Sequence, residues 1–229
     1  MAALKDKKFR REYGEYLVEG IKMVTECIEA GCEVTSVMCT PEYASVSADA
    51  VVVTRDVFEY ISDEKSPQGV IASVKIPRTP VSAPEDRCIL LDGLQDPGNV
   101  GTIIRTANAA GFGEIYLVGC ADPYSPKSVR ASMSGVFFTK LMRCTADEVL
   151  DALRGVPLVS ADMDGENVFG FNAPDKFCLC IGNEGSGLSQ KVRSASAYTV
   201  RIPMRSTCES LNAAVSAGIL MYVINGAKL

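Results

Sequence analysis

Apolar residues along this chain keep two rhythms. Short runs rich in Val, Ile, Leu and Cys, bounded by polar or glycine-containing turns, read as strands. Between them apolar residues fall three and four positions apart, the spacing of a buried helical face. In the first third, strands are expected at 16–18, 34–38, 51–53 and 70–74. Helices are expected where Ile21, Val24 and Ile28 line one face up to Gly31, and over 56–61 behind Thr54 as a cap. Pro77, Pro80 and Pro84 then interrupt any ladder. They mark 76–85 as a linker between a small α/β unit, 1–75, and a larger unit, 86–229.

The larger unit alternates strand and helix throughout, the pattern of a parallel sheet covered by helices. Strands are expected at 88–91, 115–118, 136–138, 156–160, 177–181 and 198–202. The helix after the first of these buries Val100, Ile103, Ile104 and Ala107 and stops at Gly111, which turns Asn99, Thr102, Arg105 and Asn108 to other faces. Further helices are expected at 125–133 and 147–153. The last helix, running on to Ile224, is expected to bury Leu211, Ala214, Val215, Gly218, Ile219, Tyr222 and Val223.

Composition narrows the chemistry more than the fold. Hydrophobic residues make up 47% and charged residues 22%, as in a globular chain, and the net charge of −5 provides no global attraction to nucleic acid. Any such contact must come from local clusters. Lys5, Lys7, Lys8, Arg10 and Arg11 face only Asp6 among the first eleven residues, and form either a solvated end or a set of RNA backbone contacts. No apolar run reaches the length of a membrane span and the N-terminus lacks the apolar core of a signal peptide, so a cytoplasmic location is expected. Nine cysteines lie mostly inside apolar segments, there is no Cys-x-x-Cys, and the chain has no histidine. A zinc site is therefore not expected, and Ser–His and Cys–His catalytic pairs are excluded.

Three loops follow strand ends, where α/β folds place ligands. The first, 92–98, leads into Asn99-Val100-Gly101. A dinucleotide site with Asp122 beyond the second strand is the generic reading, but Gly98-Asn99-Val100-Gly101 does not supply Gly-x-Gly-x-x-Gly. The second, Gly182-Asn183-Glu184-Gly185-Ser186-Gly187-Leu188, holds three glycines that let backbone approach a ligand, and Glu184 either sits in solvent or aligns on a polar or cationic group. In the third, Pro203 ends a strand, and Ser210 and Asn212 reach the first turn of the last helix, Ser210 as a cap or as a functional hydroxyl. Lys127 and Arg130, on the 125–133 helix, are surface charges or phosphate contacts.

Taken in order, Asn99-Val100-Gly101-Thr102-Ile103-Ile104-Arg105-Thr106-Ala107, then Gly182 to Leu188, then Ile202-Pro203-Met204 with Ser210-Leu211-Asn212 resemble the SpoU (TrmH) family of RNA ribose 2′-O-methyltransferases, within the SPOUT superfamily. The stretch with Val18-Glu19-Gly20 looks like the small substrate-binding domain that members carry. The resemblance implies an α/β fold: a parallel-sheet methyltransferase domain with a C-terminal trefoil knot, preceded by a small α/β substrate-binding domain. It also implies a homodimer, and S-adenosylmethionine held near Gly182, Ile202, Met204 and Leu211. Asn99, Arg105, Glu184, Ser210 and Asn212 become the catalytic neighbourhood. With ribosomal or transfer RNA as substrate, Lys7, Lys8, Arg10, Arg11 and Arg130 are the candidate RNA contacts. One departure is Ser206, where many relatives have glycine; if that position needs positive φ, serine is strained there.

Methyl transfer to a ribose hydroxyl needs alignment, exclusion of water and removal of a weakly acidic proton. A guanidinium, with a reference pKa of about 12.5 or higher, is unsuited as a free base. Arg105 is therefore read as binding the adjacent phosphate and stabilising the developing alkoxide, fixed by Glu184 and Asn99, while Ser210 and Asn212 hold the loop and ribose. The base itself stays open. Two other classes compete: an RNA-associated scaffold that keeps the fold without catalysis, disfavoured by the intact signature side chains, and a nucleotide-dependent dehydrogenase, disfavoured by the missing glycine fingerprint.

Overall fold

The first sheet assembles around antiparallel pairing that ties the chain's start to residue 75. In the computed structural model, which describes residues 1–226, a 3₁₀ turn at Ala2–Lys5 leads into α1 (Lys7–Tyr13), stopped by Gly14 at φ 64°. There follow β1 (Glu15–Glu19), α2 (Ile21–Glu29), β2 (Val34–Cys39), β3 (Val51–Val52), α3 (Arg55–Ile61) and β4 (Val70–Lys75). The sheet order is β1-β4-β2-β3, with β4 antiparallel to both neighbours and β3 parallel to β2. One detail differs from expectation: α2 buries Met23, Val24 and Cys27, and leaves Ile21 and Ile28 exposed. Both sets satisfy helical spacing, and packing decides the phase.

Residues beyond the linker build β5 (Cys88–Asp92), α4 (Pro97–Ala109), β6 (Glu114–Val118), α5 (Pro126–Ser132), α6 (Gly135–Phe138), β7 (Lys140–Cys144), α7 (Ala146–Ala152), β8 (Leu158–Asn167), β9 (Cys178–Gly182), α8 (Gln190–Ala195), β10 (Tyr198–Arg201) and α9 (Ala213–Asn225). All six strands run parallel, in the order β10-β8-β9-β5-β6-β7. Central strands β5 and β9 are buried almost end to end, as their unbroken apolar runs require.

Three features depart from the sequence expectation. Residues 136–138 are helical, and the neighbouring strand is Lys140–Cys144 instead. Gly135 lies against the α4 backbone, where an added Cβ would be 3.0 Å from Arg105 Cα, and this close seat holds the apolar trio in a turn of helix. Strand β8 continues past Ser160 to Asn167 because Val200 and Arg201 pair with its far end. Finally, α9 buries Ala214, Ala217, Leu220 and Met221, whereas Leu211, Val215 and Tyr222, assigned to the core above, are exposed. A helix apolar on all sides carries no phase in its sequence.

Helix α4 is the hub. It packs on α5, α6 and α9, and it meets α5 at Gly101, where any Cβ would collide with the Ser128 carbonyl and come within 2.7 Å of Ala131 Cβ.

The two sheets are joined by buried contacts. Tyr16 and Tyr124 rings pack at 4.9 Å. Arg10, expected on the RNA-facing surface, is 3% exposed: Nε and Nη2 donate to Asp122 Oδ2 at 2.9 and 2.8 Å, and Nη1 donates to the Leu4 and Lys5 carbonyls. Arg143 and the Tyr124 amide occupy the other Asp122 oxygen. Arg130, likewise expected on RNA, is held by Asp63 at 3.2 Å and Glu64 at 2.7 Å. Both arginines are fasteners between the halves of the chain. Asp122, which the dinucleotide reading assigned to a ribose, is instead the partner of Arg10 and Arg143. Lys7, Lys8 and Arg11 stay exposed on α1.

Candidate active site

Strands β8, β9 and β10 end side by side, and the loops that leave them surround a cavity of about 350 Å³. Its wall includes Gly182, Glu184, Ile202, Met204, Ser210 and Leu211, six positions singled out in the sequence. Each loop has a local reason for its shape. After β9, Asn183 acts as an Asx turn: its Oδ1 accepts from the Gly185 and Ser186 amides at 2.9 and 3.0 Å, and its backbone exchanges two hydrogen bonds with Gly187 at 3.0 Å. Gly182 must be glycine, because a Cβ would press into the Gly187 and Leu188 backbone. Gly187 takes φ 68°. The Asn183 amide also donates to the Gly93 carbonyl at 2.8 Å, which joins this loop to the one after β5.

A second tie crosses all three loops. Asn99, buried in the first turn of α4, donates from Nδ2 to Glu184 Oε1 at 2.8 Å and accepts on Oδ1 from Asn212 Nδ2 at 3.0 Å. Asn212 is at the same time the N-cap of α9, accepting from the Ala214 and Val215 amides at 2.9 and 3.3 Å. The cap is therefore Asn212, and Ser210 is left in the loop facing the cavity. Burial raises the Glu184 carboxyl pKa, but the Asn99 amide and nearby backbone N–H groups outweigh it, so the group is held below the usual carboxylate range. It stands ionised at neutral pH. Asp162 and Arg193, paired at 3.0 Å, also line the wall, with Arg193 close to Gly187.

Arg105 is not part of this knot of bonds. It lies six residues beyond Asn99 on α4, about 9 Å along the axis and about a third of a turn away. It is exposed and has no hydrogen bond or ion pair among the described residues. The expectation that Glu184 and Asn99 fix Arg105 is therefore corrected: within one chain they fix Asn212. Ser206 is not strained either, because Met133, at φ 49°, is the sole non-glycine residue with positive φ among those described. Ser206→Gly is accordingly expected to lower stability by up to about 1 kcal/mol through added unfolded-state freedom; a stabilised variant in urea melts would show that strain existed.

Asn183 was not given a role on sequence grounds. Its signal was local: an Asn at a strand's end, two residues before a glycine and four before another. Asp162 and Arg193 gave no such signal, since β8 and α8 bring them to the wall from distant parts of the chain.

The SpoU rRNA Methylase family profile matches residues 86–222, more than half of the chain. The chain belongs to the SpoU rRNA methylase family. An MRM3-like substrate binding domain profile matches residues 1–72, the part that forms the four-stranded sheet. Among SpoU relatives, the chain is 33% identical to the 23S rRNA (uridine(2479)-2′-O)-methyltransferase of Streptomyces viridochromogenes, over 96% of this chain and 86% of the relative. It is 28% identical to the 23S rRNA (guanosine(2553)-2′-O)-methyltransferase of Bacillus subtilis, over 97% and 93%. The crystal structure of the SpoU methyltransferase AviRb from Streptomyces viridochromogenes, in complex with AdoMet, superposes with a TM-score of 0.88 at 30% identity, covering 98% of this chain and 94% of that one.

The cavity suits S-adenosylmethionine on its own terms. Apolar side chains of Ile202, Leu211 and Leu220 offer surface for an adenosyl group, backbone lies open at the glycine loop, and the ionised Glu184 complements a sulfonium charge. Among the described residues no group of three or more His, Cys, Asp or Glu could hold a metal ion, and no helix is long and apolar enough to cross a membrane.

Proposed function

We propose that this SpoU-family chain methylates a ribose 2′-hydroxyl of ribosomal RNA, using S-adenosylmethionine bound in the cavity beside Gly182, Ile202, Met204 and Leu211. The observation that carries the reading is the Asn212–Asn99–Glu184 chain of hydrogen bonds, which draws three loops distant in sequence around one cavity. When bound, the cofactor supplies an electrophilic methyl group on a sulfonium.

The protein's own groups supply position and charge. Asn99 holds Glu184 on one side and the α9 cap on the other, which fixes both walls. Ser210 offers a hydroxyl toward the ribose. Arg105 binds the neighbouring phosphate and stabilises the oxyanion, consistent with a guanidinium left without a partner among the described residues.

That vacancy and the bare face of α9 support a homodimer. Leu211, Val215 and Tyr222 are exposed along one stripe, and Gly218, on that helix, sits against Thr106, the residue after Arg105. Two copies joined through this stripe would set Arg105 of one beside the cavity of the other. A C-terminal segment threaded as a trefoil knot fits the path in which β10 lines the sheet's edge and α9 returns onto α4. We place the division at 76–85, between a substrate-binding domain and the methyltransferase domain, with Lys7, Lys8 and Arg11 as RNA contacts and the cytoplasm as the site of action.

The test is transfer of labelled methyl from S-adenosylmethionine to unmodified ribosomal RNA, followed by digestion to nucleosides. Label in a 2′-O-methylated nucleoside is expected. Label confined to bases, or none, would refute the assignment.

A further inference from the structure

A second cavity lies at the opposite edge of the six-stranded sheet and at the amino ends of its strands. The end of α1, the end of α2, residues 75–79 and the α6–β7 corner enclose a cleft of about 790 Å³. Tyr16, Tyr124 and Thr139 contribute to its wall, and they are only 2%, 4% and 8% exposed. Thr139 Oγ1 is buried with no hydrogen-bond partner, and neither phenol hydroxyl has one among the described residues. Of the three, Thr139 Oγ1 is the buried atom left unmet, which costs about 1–3 kcal/mol. Burial pushes the Tyr124 phenol up to about 12 and Tyr16 further still, so both remain protonated donors.

The rim is aromatic and its charge is balanced. Tyr13 and Phe138 are 50% and 56% exposed, and Tyr13 stacks on Phe9 at 5.9 Å. Lys75 is bonded to Glu15, and Lys140 to Glu85 and Glu114, while Arg78 has no ion pair among the described residues. Such a cleft exerts little pull on a run of phosphates. Its hydroxyls and exposed rings suit a neutral planar group with several donors and acceptors, and Arg78 is free for a single phosphate.

We propose that this cleft receives an unpaired nucleobase of the RNA, stacked on Tyr13 or Phe138 and hydrogen-bonded to Tyr16, Tyr124 and Thr139. It would anchor the substrate a full sheet-width from the cofactor cavity. The proposal rests on RNA being the substrate but not on the chemistry of the methyl-transfer site.

Tyr124→Phe and Thr139→Val each delete one hydroxyl at nearly constant volume. Each is expected to weaken binding of labelled short single-stranded RNA oligomers about fivefold, the worth of one hydrogen bond. Binding of duplex RNA and of S-adenosylmethionine should stay unchanged. The thermal midpoint of Thr139→Val should match or exceed the parent's, since an unmet buried group has gone; a merely structural hydroxyl would lower it. Equal oligomer affinity in parent and both variants would overturn the proposal. So would loss of nucleoside 5′-monophosphate binding with oligomer binding untouched, which would mark a free-nucleotide site. Oligomer binding that tracks the hydroxyls in a protein that transfers no methyl group would refute the activity proposed above and still support the cleft.

Discussion

Arg105→Ala is expected to reduce methyl transfer into RNA by about 10²–10³-fold, or roughly 2.7–4 kcal/mol, the loss seen when one preorganised donor to an oxyanion is removed. Affinity for S-adenosylmethionine should remain within a few fold, because Arg105 is absent from the cavity wall. Stability should also hold, because the side chain is exposed and unpaired among the described residues. The proposed dimer adds a sharper readout. Gly182→Ala should disable the cavity by forcing a Cβ into the Gly187 backbone. In an equal mixture of the two variants, exchange between subunits should restore about one quarter of wild-type turnover, because only the mixed dimers combine an intact cavity with an intact guanidinium from the partner subunit. No recovery would mean that Arg105 serves its own chain's cavity, and normal turnover by Arg105→Ala alone would remove it from the reaction.

The largest stability effect is expected at the joint between the sheets. Asp122→Ala leaves the buried Arg10 guanidinium with only the Leu4 and Lys5 carbonyls, and should destabilise the fold by about 3–5 kcal/mol, the usual consequence of stranding one member of a buried pair. Denaturant unfolding measures it, and a loss under about 1 kcal/mol would show the joint to be solvated. Acid should act on the same group. Burial raises the Asp122 pKa, but the charge of Arg143 and the bonds from Arg10 outweigh it and hold it below its ordinary 3.8. A carboxyl depressed in the folded state contributes fully above its unfolded value and loses that contribution as pH falls through its folded value. Wild-type stability should therefore decline below about pH 4 more steeply than that of Asp122→Asn; parallel curves would rule out Asp122 as the titrating group.

What could be read in advance followed from whether information was local. The α4 stripe of Val100, Ile103, Ile104 and Ala107 is buried as expected, because polar residues on its other faces fix the phase. Helix α9 offers no polar face, so Leu211, Val215 and Tyr222 were assigned inward when they point outward. In the proposed dimer their apolar character would serve a second copy, which one chain's sequence cannot display. Asn99, Glu184 and Asn212 were recognisable through their loops, and the bonds between them agree with that grouping. Arg10 was not recognisable. It sits in a run of similar cations, and its acid lies 112 positions away. The 136–138 stretch failed for a related reason, since β-prone residues were overruled by a glycine seat on a distant helix.

Asn99 and Arg105 share one rod that is wedged at Gly101 and at Gly135, where backbone meets backbone with no side chain between. The rod cannot swivel to adjust one residue without carrying the other. Opening and closing around a guest must then fall to the glycine loop and the stretch before α9, with α4 as the fixed jaw of the vice.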